Sequence, residues 1–138
     1  MKHLGWVDLA SGLAYVTFLV LGIVRGKPGP TLYIGVALSL VCAVLWVVAR
    51  VQLGASFSAS AQARHLVTTG LYSRIRHPIY VFGTLAFMGA VLAIMGWQAL
   101  VVWAIVGVIQ VGRAMREDKV LAEAFGEEYE EYRKRTWL

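Results

Sequence analysis

Two short stretches hold most of the residues in this chain that can do chemistry. The first, Gly70 to Tyr80, reads GLYSRIRHPIY and packs Arg74, Arg76 and His77 between Tyr72 and Tyr80. The second opens at Arg113 and continues through Arg116, Glu117 and Asp118. Cations and an imidazole can hold an anion, a carboxylate can hold an ammonium, and tyrosine rings offer flat electron-rich faces to a cation or a base. Pro78 disfavours helical backbone at His77 while being well suited to begin a helix itself, so the first stretch reads as a loop poised at a helix start. From Pro78 to Gly112 there is no Asp, Glu, Lys or Arg. If that apolar run folds into a hairpin, the two charged clusters arrive at the same end and build one site.

The elements that must position them are apolar throughout. Hydrophobic residues make up 59% of the 138 and mean hydropathy is +0.66, well above the roughly 45–50% of soluble domains. The expected fold is all-α: a single polytopic membrane domain over 1–138 with about four transmembrane helices and a cytosolic helical C-terminal tail. The spans are read at 6–24, 31–49, 79–95 and 97–112, against about 20 residues needed to cross the hydrocarbon core. The last two are short, so a tight hairpin broken at Gly96 is expected. Arg25 to Pro30, RGKPGP, is a turn by its Pro and Gly content. Phe125-Gly126 ends the helix that carries Arg113 and Glu117, and Glu127 to Arg135 begins another with Tyr129 and Tyr132 on one side.

Charge orients the chain. With both termini inside, Lys2, Arg50, Arg64, Arg74, Arg76 and six tail cations lie on the cytoplasmic side, leaving Arg25 and Lys27 outside. That asymmetry is what cytoplasmic loops show. The formal charge of +5 thus points to membrane lipids, and the basic residues form no stripe interleaved with aromatics that would fit nucleic acid. Cys42 and three scattered histidines give neither a disulfide framework nor metal-ligand spacing. The glycines at 83, 89 and 96 sit within helical apolar runs, unlike the glycine-rich nucleotide loop of a Rossmann unit. The first apolar run lacks a clean small-residue cleavage site and is read as a retained span.

The pattern Gly70, Tyr72, Arg76, His77, Pro78, Tyr80, followed by Arg113, Glu117-Asp118, Leu121, Phe125-Gly126, Tyr129 and Tyr132, resembles the integral-membrane methyltransferases of the isoprenylcysteine carboxyl methyltransferase and phospholipid methyltransferase superfamily. The resemblance runs from about Leu66 to Tyr132. It implies S-adenosylmethionine as methyl donor at the cytosolic side and a lipophilic acceptor entering from the bilayer. By the same resemblance, the cofactor site draws on 64–80 and 113–132. Leu66 and Val67 lie along the nucleoside, Tyr72, His77, Pro78, Ile79 and Tyr80 are further cofactor contacts, Glu117 binds the cofactor and Arg113 faces the substrate; by residue chemistry alone, Arg76 or His77 suits the cofactor's carboxylate. Isoprenoid-type carboxylates, amino phospholipids and thiols are all admissible acceptors. Asp118 stands where many members carry a second Glu, and its role is left open.

No catalytic base is assigned, because a carboxylate or thiolate acceptor needs none; for an ammonium, His77 or Glu117 would be the relay. Bland alternatives stand beside each residue: Arg74, Arg76 and His77 as snorkelling anchors, Glu117 as an exposed partner of Arg113, Tyr129 and Tyr132 as packing residues. The rival function is a small four-span transporter or adaptor with Asp8 as coupling carboxylate. It leaves unexplained why Arg-His-Pro and Arg113/Glu117 stand at the two ends of one hairpin.

Overall fold

The computed structural model describes residues 6–54 and 66–137, with side chains from Gly12 onward. Asp8 as a side chain and Arg64 lie outside that description. All regular structure among the described residues is helical: α1 (Trp6–Arg25), α2 (Pro30–Leu53), α3 (Pro78–Met95), α4 (Ala99–Phe125) and α5 (Glu127–Arg135), with 3-10 turns at Gly70–Ser73 and Gly96–Gln98. Pro30 and Pro78 each stand at a helix start, where the missing N–H costs nothing. Two stretches are long and apolar enough to cross a membrane, Pro30–Leu53 and the run Pro78–Phe125. The second is broken at Gly96, whose φ of 62° is a backbone conformation that glycine adopts without penalty. A shorter apolar stretch covers Gly12–Arg25.

Side chains such as Val16, Val20, Ile34, Val41, Val44, Ile105, Val108 and Ile109 are exposed along these helices. So much exposed aliphatic surface marks contact with a partner or a membrane rather than with water. The core is narrow and lies between α2 and α3. A Cβ placed on Gly35 would come within 2.6 Å of the Gly89 carbonyl oxygen, and one on Gly89 within 2.5 Å of the Gly35 oxygen and Ser39 nitrogen. The two backbones touch there, as small residues allow when apolar solvent gives helices little reason to associate. Ser39 adds a hydrogen bond from its Oγ to the Ala86 carbonyl at 2.7 Å. The Tyr15 hydroxyl joins the same point, 2.6 Å from Ser39 Oγ and 2.9 Å from its carbonyl oxygen, so one buried serine ties three helices together.

Helix α4 is packed otherwise. Ala99 is its one buried residue among those described, and it continues unbroken past Gly112 to Phe125, carrying the second charged cluster on the same rod as the apolar segment. Gly126, at φ 52°, then turns the chain into α5, as its position after the last periodic residue predicts. Tyr129 and Tyr132 of α5 are buried, so the tail is docked.

Candidate active site

The site forms where three pieces of chain converge. The loop before α3 begins at Leu66 and Val67, both half-buried and non-helical. It tightens into the turn Gly70–Ser73, whose Leu71 N–H donates to Gln52 Oε1 at the end of α2 at 2.8 Å. His77 has φ −122° and ψ 57°, outside the helical region, the effect expected of the following proline. The tail closes over this loop. Tyr132 donates its hydroxyl to the Tyr72 carbonyl at 2.7 Å. Beyond α5 the Trp137 N–H donates to the Arg74 carbonyl at 2.8 Å and the Trp137 carbonyl accepts from the Arg76 N–H at 3.0 Å, a two-bond bridge between the tail and the loop.

Asp118 on α4 is the centre of the cluster. Its Oδ2 accepts from Arg76 Nη1 at 3.0 Å and its Oδ1 pairs with His77 Nε2 at 2.7 Å. Tyr129 donates its hydroxyl to the same Oδ1. Burial opposes ionisation of Asp118, but the hydrogen bonds from Tyr129 and His77 and the Arg76 charge outweigh it and hold the carboxyl below its ordinary range. Tyr129 is shifted upward in turn, by burial and by the carboxylate it faces. Burial likewise pushes Tyr132 up to about 12, so all these phenols stay protonated donors at neutral pH.

Glu117 lies on the other side of the imidazole, its Oε2 3.8 Å from His77 Nδ1. Tyr72 is buried, and among the described residues neither its hydroxyl nor the buried Arg76 Nε has a hydrogen-bond partner. Burial, then the Glu117 charge, raise the Tyr72 phenol well above its ordinary value. Arg113, exposed on α4, places its guanidinium 5.3 Å from the centre of the Tyr80 ring, within cation–π range. The Tyr80 ring is in turn 5.7 Å from that of His77.

From this cluster a cavity of about 460 Å³ runs along the seam of α3 and α4. Arg76, His77 and Asp118 stand at its charged end, and Tyr80, Leu85, Trp103, Gly107 and Met115 are among the residues that line the rest. Its size falls within the usual range for small-molecule pockets, about 300–1,000 Å³. A charged mouth opening onto a mostly apolar trough suits a molecule that is polar at one end and greasy along the other.

The sequence profile of phospholipid methyltransferases matches residues 30–128, from the start of α2 into α5. The chain belongs to that family. It sits within the isoprenylcysteine/phospholipid methyltransferase superfamily, whose members transfer methyl groups, and methyltransferases of this family generally use S-adenosylmethionine. No curated protein and no solved structure matches the chain. Two apolar stretches and this membership together describe an integral membrane protein.

Of the residues singled out in the sequence, Tyr72, Arg76, His77, Tyr80, Arg113 and Glu117 come together here. Pro78 is buried at the start of α3 and Ile79 follows it half-buried, so both bear on the site through the helix start. Leu66 and Val67 lead into the loop and do not line the cavity. Asp118, left without a role by sequence reasoning, occupies both Arg76 and His77. The signal was its adjacency to Glu117 beside the apolar run, but nothing in the spacing on α4 alone says which residues it meets.

Proposed function

We propose that this protein transfers a methyl group from S-adenosylmethionine to a lipophilic acceptor, an isoprenoid-type carboxylate, an amino phospholipid or a thiol, at the cytosolic face of a membrane crossed by α1 to α4. The observation that carries this reading is the meeting of Glu117 with the Arg76–His77 loop, 41 and 40 residues earlier in the chain, at the mouth of an apolar trough. Both termini on the cytosolic side follow from the eleven Lys and Arg residues that this orientation leaves inside.

The polar groups present fit the donor. Tyr72 Oη and Arg76 Nε, buried and without a partner among the described residues, are suited to a carboxylate, and desolvated donors of this kind gain most from acquiring a partner. Glu117, half-buried, is suited to an ammonium, and the Tyr72 and Tyr80 rings to an adenine or a sulfonium. When bound, the donor supplies a methyl carbon already activated by its sulfonium. Asp118 holds Arg76 and His77 in place, while Glu117 stands between His77 Nδ1 and the Tyr80 side chain. Leu66 and Val67, which lead into the loop, are assigned to the nucleoside, Pro78 and Ile79 to further donor contacts, and Arg113 to an anionic group of the acceptor. Displacement at such a carbon asks for alignment and exclusion of water, which the trough and the docked tail provide. An ammonium acceptor must first lose a proton, and His77 beside Glu117 is the pair placed to take it.

Isothermal titration of the detergent-solubilised protein with S-adenosylmethionine tests the reading. Saturable binding is expected in the wild type and in Asp8→Asn, and loss of at least tenfold in affinity in Glu117→Ala and His77→Ala. A wild-type protein that binds none of the donor would sink the proposal.

A further inference from the structure

One pair of polar side chains stands inside the trough away from its charged end. Gln110 on α4 donates from Nε2 to Thr84 Oγ1 on α3 at 3.1 Å, and both half-buried residues line the cavity. An amide between apolar helices is costly to keep unless its groups are engaged. Gln110 commits one N–H to Thr84, and the other N–H and the carbonyl oxygen have no partner among the described residues.

Its position along the helix matters. Gln110 precedes Asp118 by eight residues, about 12 Å at 1.5 Å per residue, and precedes Arg113 by three, about 4.5 Å; Arg113 does not itself line the trough, but its guanidinium reaches the trough-lining Tyr80 ring. In a glycerophospholipid the phosphate and the nearer ester carbonyl are joined by a short run of single bonds spanning roughly 6 Å, and an ethanolamine nitrogen lies roughly 10 Å from that carbonyl. The spacing of charged end, Arg113 and Gln110 follows the same order of amine, phosphate and ester. An isoprenoid chain has no hydrogen-bonding group to offer at that depth.

Resting on the methyltransferase reading above, we infer that Gln110, oriented by Thr84, is a specificity-determining residue that donates its free N–H to an ester carbonyl of a diacyl phospholipid acceptor, one helical turn deeper than the phosphate at Arg113. The alternative is a purely structural bond holding α3 to α4. That role would cost stability on removal without altering which lipid binds.

Native mass spectrometry of the detergent-solubilised protein, titrated with dioleoyl phosphatidylethanolamine and with its dioleyl ether counterpart lacking both carbonyls, separates the two. The wild type is expected to prefer the diester roughly five- to tenfold, the worth of one neutral hydrogen bond. Gln110→Met, of similar length and unable to donate, brings the ratio to about one while leaving diether binding unchanged; Thr84→Val, which frees the amide to turn, gives an intermediate ratio. A wild-type ratio of one overturns the inference without any variant being needed, and so does a ratio in Gln110→Met equal to that of the wild type. Donor calorimetry on the same sample keeps the two readings apart. Failure to bind S-adenosylmethionine removes the methyltransferase, whereas donor binding with a ratio of one removes only the role of Gln110.

Discussion

Helix α3 meets α2 along one side and α4 along the other, and the two seams are built on opposite principles. Toward α2, Gly35 and Gly89 bring the backbones into contact and Ser39 stitches the joint from Tyr15 to Ala86. Toward α4 the helices stand apart over a 460 Å³ trough, met by Gln110 and Thr84 part-way and by Asp118 at the end. A Cβ on Gly107 of α4 would meet nothing within 4 Å, while one on Gly89 would collide with backbone. The same residue type thus serves closure in one seam and vacancy in the other. At Gly35 and Gly89 the structure is scaffold, and at Gly107 it is trough.

The sharpest way to break that contrast is to add the same side chain on both sides. Gly89→Leu is expected to cost about 3 kcal/mol or more through overpacking against backbone that cannot yield, read as loss of folded protein by size-exclusion chromatography and thermal melting in detergent. Asp118→Asn comes next. It strips the counter-charge from Arg76 and His77 and weakens the Tyr129 bond, at about 1–3 kcal/mol, and the donor affinity seen by calorimetry falls with the loosened loop; an unchanged affinity would mean the cluster is scaffold only. Gly107→Leu has the mildest structural effect. Helix propensity raises stability by about 0.5–1 kcal/mol, while the filled trough weakens binding of the phosphatidylethanolamine probe roughly tenfold, equivalent to about 1.4 kcal/mol, with donor binding unaltered.

Acid pH supplies the smallest perturbation. The Asp118 carboxyl is held below its ordinary range in the folded protein, so its stabilising contribution is present above the unfolded value of about 3.9 and is lost as pH falls through the lower folded value. The Asp118 contribution to docking of α5 should therefore be complete at pH 5 and above and be lost only below about 4, monitored by near-ultraviolet circular dichroism of Tyr129, Tyr132 and Trp137. Asp118→Asn should lack that acid step.

The apolar run, its break at Gly96 and the end of α4 at Phe125-Gly126 were readable because each depends on local chemistry: absence of charge, and glycine where φ must be positive. Convergence of the two charged clusters was readable from the hairpin alone. What escaped was register. Gln110 lies thirteen residues after Trp97 and Thr84 thirteen before it; Glu117 and His77 stand twenty away, and Asp118 and Arg76 twenty-one. Every one of these pairs meets, so the hairpin is centred on Trp97, and once that is known the partners of Asp118 and Gln110 follow by counting. The sequence alone places the turn only to within a residue or two, and each helix turns about 100° per residue, too much for a blind assignment. Tyr129 was expected to serve packing; it is indeed buried, but its bond to Asp118 needs the Gly126 bend, whose angle no periodicity reports.

The contact of Gly35 with Gly89 also decides how such a protein can change over generations. Because α3 is locked on its α2 side, and α4 turns much of its surface outward with only Ala99 buried, substitutions at the lining positions of α4 alter the trough's width and polarity without disturbing the joint that keeps the molecule folded. On the proposed function, a lineage can therefore exchange one acceptor for another by editing a single helix.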